Sequence, residues 1–121
     1  MRNRTRDRDR GQAAVELVGW IPLLLLVALA AVQLGLAIFA VQQAGTASRA
    51  AARVASQSDY MDVDYETAGR AAMSDWLAQD AEFTAPTAGD AVTVTARVQI
   101  PSLLPGVTLG DAERSATMPR D

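Results

Sequence analysis

One apolar run dominates the pattern of hydrophobic and polar positions. It begins at Ala13, and the 24 positions from Leu17 to Ala40 carry no charge and one clearly polar side chain, Gln33. Glu16 stands at its leading edge. At about 1.5 Å of rise per residue a helix of this length reaches roughly 36 Å, enough to cross a hydrocarbon core of roughly 30 Å. Lipid offers no partner to an unpaired backbone group, so the segment must be helical. Pro22, near its start, removes one backbone donor and frees the carbonyl of Val18, which predicts a weak point or kink. Trp20 falls near one interface, where an indole is favoured. Ala31 and Gly35 form a small-xxx-small pair through which a second helix can approach closely.

Beyond the run, residues 41–57 continue in strong helix formers. Val41, Ala44, Ser48, Ala51, Ala52 and Ala55 share one small apolar face, and Arg49 and Arg53 share another. The spacing predicts a single helix from about Ala13 to about Ser58, its second half outside the lipid. Residues 58–66 are an acidic break. Asp62, Asp64 and Glu66 have the spacing of calcium-loop ligands, but that register places Thr67 where the turn glycine belongs and Met73 where the bidentate Glu belongs. The acids instead suit the start of a second helix, from about Asp64 to Gln79. Tyr65, Ala68 or Gly69, Ala72, Met73, Trp76 and Leu77 form its apolar stripe.

From Glu82 the period changes from helical to alternating. Val92, Val94, Ala96, Val98 and Ile100 fall on one face of a strand, Thr93, Thr95, Arg97 and Gln99 on the other. Pro101 ends it, residues 101–111 form a loop, and ERSATMP returns as a third, shorter strand. The expected fold class is α+β: a long N-terminal transmembrane helix continuing into a small extracytoplasmic head with a second helix and a short antiparallel sheet. The expected divisions are a leader at 1–11, the long helix at 12–58 with its membrane part at about 17–40, and the head at 59–121.

Charge adds an orientation. Residues 1–10 hold five Arg and two Asp, whereas residues 41–121 hold six Arg against 11 acids. The basic tail is expected in the cytoplasm and the acidic head outside. An acidic head also argues against a nucleic-acid partner. The chain has no Cys, His or Lys, which excludes a disulfide framework, a Ser-His-Asp triad, a Cys nucleophile, a Ser-Lys pair and ordinary zinc ligation. No phosphate-binding loop or dinucleotide fingerprint is present. No enzyme and no cofactor is expected.

The junction between tail and run is the most specific feature. It reads RG-QAAVEL: Gly11, then Gln12, Ala13, Ala14, Val15 and Glu16. This resembles the prepilin-peptidase site of type IV pilin-like proteins, in which the leader is cut on the cytoplasmic side after the Gly. Residues 9–56, with the RG-x-x-x-x-E opening, the early Pro22 and the Ala/Arg-rich continuation, resemble more closely the TadE-like minor pseudopilins of the tight-adherence (Flp) pilus system. Leu17 and Gln33 depart from that pattern, standing where those proteins often have an aromatic and an acid. The resemblance implies cleavage between Gly11 and Gln12, with Glu16 as the recognition and assembly residue. It implies as partners a prepilin peptidase, other pilins or pseudopilins, inner-membrane assembly proteins and the bilayer. The place implied is the cell membrane, with incorporation in a pilus open. A carboxylate at the edge of an apolar helix is costly unless paired. Cleavage would create an α-amino group on Gln12 that Glu16 of a neighbouring subunit can meet.

Three other readings share part of this pattern. A secretory signal cut after Ala28-Leu29-Ala30 conflicts with ten further apolar residues, to Ala40. A single-pass accessory protein with an extracellular binding head needs no cleavage at Gly11. A major pilin of the same system is disfavoured by the size of the head.

Overall fold

The computed structural model describes residues 2–57 and 64–120. Residues 58–63 of the acidic break, Asp62 among them, lie outside the described residues. The chain forms two compact units, Met1–Leu34 and Gly35–Asp121. The fold class is α+β, as the sequence predicts: a long apolar helix, short helices and an antiparallel sheet.

Helix α1 is Arg2–Ser56. It begins well before the apolar run, within the segment expected to be a leader. The long run supplies the nucleus, and each residue added to an existing helix costs little, least of all Arg. Gly11 does not interrupt it; an interior Gly costs only about 1 kcal/mol. Pro22 likewise lies within α1 without ending it. In the first unit the side chains of Leu17, Val18, Trp20 and Leu23 to Val27 are exposed, from 49% to 64%. Such a surface suits lipid and not water, and α1 contains the one helix among the described residues that is long and apolar enough to cross a membrane.

The second unit contains the head. Its core joins Ala40, Ala44, Ala47, Ala51, Ala52 and Ala55 of α1 to Val92, Val94, Ala96 and Val98 of the sheet. The predicted small face is thus the buried face, except that Val41 lies at its exposed margin. Ser48 is also buried, and its hydroxyl donates to the carbonyl of Gly45 at 2.9 Å, so it leaves no orphaned polar group.

The expected 64–79 helix is instead two, α2 (Tyr65–Ala71) and α3 (Asp75–Ala78). The amides of Ala72 and Met73 close tight bonds to Gly69 and Arg70. Ser74 is then extended, with ψ at 136°. Its N–H donates to Oε1 of Gln43 on α1, at 2.9 Å. A tertiary partner therefore replaces a helical carbonyl at the break. Gly69, Met73 and Leu77 of the predicted stripe are buried, whereas Trp76 is half exposed.

The sheet is three strands wide. Central β3 (Ala91–Gln99) pairs on one edge with β1 (Glu82–Thr84) and β2 (Thr87–Ala88), and on the other with β4 (Asp111–Pro119). All pairings are antiparallel. The returning strand β4 is longer than expected and matches β3 residue for residue, from Gln99 opposite Asp111 to Ala91 opposite Pro119. Its core-side positions are Ala112, Arg114, Ala116 and Met118. Arg114 is exposed there, and its Nε would lie 3.8 Å from a Cβ on Gly45. A guanidinium on the inner face disrupts the alternation by which the strand is legible. The opposite face is polar: Thr93 and Thr117 share a hydrogen bond of 2.8 Å, as do Thr95 and Ser115, and Arg97 pairs with Glu113 at 3.1 Å.

Candidate functional site

The junction residues Gly11, Gln12 and Glu16 all lie on α1 in the first unit, and all are exposed. Gln12 and Glu16, four apart, share one helix face. A Cβ on Gly11 would meet nothing within 4 Å. The peptide between Gly11 and Gln12 is therefore open to another macromolecule. Arg8, Asp9 and Arg10, just before it, are exposed as well.

Ala31 and Gly35 belong to α1 at the end of the first unit and the start of the second. Ala31 is exposed, and a Cβ on Gly35 would meet no neighbour within 4 Å. Both positions are thus open, which is the condition a helix-packing surface must satisfy.

Among the described residues the head displays polar surfaces and no catalytic constellation. No group of three or more His, Cys, Asp or Glu among the described residues is placed to hold a metal. A shallow groove of about 360 Å³ beside α1 is lined by Gln42, Thr46, Arg49 and Arg114. On the polar sheet face the Glu113 carboxylate hydrogen-bonds Arg97 and holds its guanidinium above the ordinary value. The Tyr65 phenol is also pushed up, first by burial and then by the charges of Glu66 and Asp64. These groups stabilise local structure; none converges on a reaction centre.

Residues 11–53 match the family model described as TadE-like protein. That part of the long helix is similar to TadE-like proteins. TadE-like proteins belong to the tight-adherence pilus system and are a structural, non-enzymatic kind of protein. The match opens on Gly11 and closes on Arg53, so it contains Gln12, Glu16, Ala31 and Gly35, the whole apolar run and most of the buried alanine face. No curated protein and no solved structure matches the chain.

Sequence reasoning missed two features outside that helix. Trp76 was expected in the core stripe, yet it stacks on Phe39 with half its surface exposed. Arg114 was expected in a plain return strand, yet it reaches over Gly45. The cue for the first was two aromatics in a chain with only 5% aromatic residues. The second had no cue, because the contact joins residues far apart in sequence.

Proposed function

We propose that this TadE-like chain is a pilin-like structural subunit, a minor pseudopilin of a tight-adherence or related apparatus. It is inserted with residues 1–10 in the cytoplasm, cut after Gly11 by a prepilin peptidase, and assembled through its long helix. The head then stands on the extracytoplasmic side as a contact surface for other pilus components. The observation that carries this reading is that the family match begins at Gly11 itself, directly after the basic tail, and runs through the apolar segment.

The chemistry of the junction supports it. A peptidase requires extended backbone, and Gly11 lowers the local cost of unwinding the helix by about 1 kcal/mol relative to Ala. After cleavage the new ammonium of Gln12 and the carboxylate of Glu16 carry opposite charges on one helix face. In a bundle the amine of one subunit pairs with Glu16 of the next, offsets the cost of an acid at the lipid edge and sets the axial stagger. The excess of Arg in residues 1–10 supports the orientation.

The deciding experiment is to determine the N-terminal residue of the protein purified from membranes with and without the cognate prepilin peptidase. The expected result is a chain starting at Gln12 only when the peptidase is present. A chain starting at Met1 in both samples would establish an ordinary single-pass accessory protein. A start at Ala31 would establish a secretory signal.

A further inference from the structure

The two edges of the sheet are unlike. On one, β3 is covered by β1 and β2, three and two residues long. On the other stands β4, nine residues long and in unbroken register with β3, its one strand partner among the described residues. Every second residue of such a strand turns its N–H and C=O away from the sheet. The outer edge of β4 is therefore a row of open backbone donors and acceptors. Edges are commonly blunted by shortness, a bulge, a proline or an inward charge. β4 is long, has no bulge, and carries proline only at its end, Pro119. What guards it is Arg114, a charge at a core-side position.

Arg114 has a companion. With Gln42, Thr46 and Arg49 of α1 it lines the groove of about 360 Å³, to which no β3 residue and no carboxylate contributes. The groove thus lies along β4, where the sheet ends. The bare backbone at Gly45 lets the Arg114 guanidinium approach the helix, since a Cβ there would stand 3.8 Å from its Nε. Both arginines are exposed, and neither has an ion-pair partner among the described residues. Residues 41–121 carry 11 acids against six Arg, so two uncompensated cations in one groove are a local exception. Their complement is a carboxylate from outside.

The two faces of the sheet specify what the edge accepts. A strand added to β4 continues the pleat, so its side chains fall alternately on the groove side and on the outer side. On the groove side it must bring carboxylates to Arg114 and Arg49, because an apolar residue there would desolvate an unpaired guanidinium. On the outer side Thr93 pairs with Thr117 and Thr95 with Ser115, and Glu113 is already held by Arg97. Hydroxyl side chains extend that ladder, whereas carboxylates would meet Asp111 and Glu113. A second copy of β4 does not satisfy the groove: its own core-side residues, Ala112, Arg114, Ala116 and Met118, include no acid.

We infer that β4 is the docking edge for an extended acidic segment of another protein, added as a further strand with alternate carboxylates on Arg114 and Arg49. Backbone hydrogen bonds supply the attachment, and the two arginines select the sequence and the face. The site lies wholly within the Gly35–Asp121 unit and does not depend on processing at Gly11.

The test uses the full chain in zwitterionic detergent micelles and a fluorescent peptide of alternating Thr and Glu, as long as β4. A peptide of alternating Thr and Gln is its neutral counterpart. The Thr-Glu peptide is expected to saturate below about 1 mM, and the Thr-Gln peptide to bind several-fold more weakly. Arg114→Gln and Arg49→Gln, both at exposed positions, are each expected to weaken the Thr-Glu peptide by about fivefold, the upper range for an exposed ion pair. Amide hydrogen exchange followed by NMR supplies the backbone readout. The β4 amides that face away from β3 are expected to exchange several-fold more slowly with the peptide bound, and those of β1 to be unchanged. Saturable binding without that protection overturns strand addition and leaves an ionic contact only. Equal affinity for the two peptides, or unchanged affinity in both Arg variants, overturns the selection by the groove. No saturation by either peptide overturns the docking edge. Protection of the same amides without peptide, rising with protein concentration, overturns it in favour of a second copy of the chain.

Discussion

Trp76 of α3 lies almost flat against Phe39 of α1, the ring planes 8° from parallel. The stack ties the short helices of the head to the last turn of the apolar run. Phe39→Ala and Trp76→Ala are each expected to loosen this attachment, and a double-mutant cycle to give a coupling of about 1 kcal/mol, the usual worth of an aromatic pair beyond its buried area. Hydrogen exchange of β3 amides in detergent micelles measures it. Strictly additive effects would mean that the two rings are held by other contacts.

Gly69 packs against the ring of Phe83. A Cβ at Gly69 would lie 2.6 Å from Cζ of that ring, too close for any real contact. Gly69→Ala is therefore expected to destabilise the head by about 1–3 kcal/mol, although Ala favours a helix at an unconstrained position. Adding Phe83→Leu should recover part of the loss attributable to the clash. Denaturant midpoints of the three variants decide it.

Tyr65 gives the head an alkaline limit. Its phenol titrates above the ordinary 10.0, because burial and the neighbouring carboxylates favour the neutral form. A folded value above the unfolded one means stability that is fully present below about pH 10 and declines as pH rises through the folded value. The slope of stability against pH above 10 is expected to be shallower in Tyr65→Phe. Identical slopes in the two proteins would remove Tyr65 as a contributor.

Glu16→Gln tests the proposed assembly contact. The variant is expected to insert, because the apolar run is unaltered, and the fraction of it that is cut after Gly11 is expected to assemble several-fold less than the processed parent. The measurement is the amount of processed subunit recovered with pilus components after crosslinking. Assembly equal to that of the parent would end the pairing idea.

The candidate site was more legible in the sequence than the head. Gly11, Gln12 and Glu16, the residues proposed for processing, lie within one short stretch, and all three are exposed on α1. The alanine face of α1 and the valine face of β3 were legible for a related reason: each repeats with the period of its own element, and each is buried. The candidate membrane span follows from length and apolarity alone, because a helix satisfies its own backbone and lipid accepts any apolar surface.

What folding decided are the places where a distant residue overrides a local preference. The stretch from Asp64 to Gln79 has the pattern of one helix, but Gln43 takes the amide of Ser74 and the chain breaks there. Trp76 has the spacing of a core residue, but that break turns it onto Phe39. The segment DAERSATMP alternates poorly because Arg114 points inward over Gly45, yet nine consecutive partners on β3 hold it as a full strand. Periodicity records how one segment divides its faces between core and solvent. A hydrogen bond, ring contact or strand pairing between residues dozens of positions apart leaves no period in either segment, so only the assembled fold reveals it.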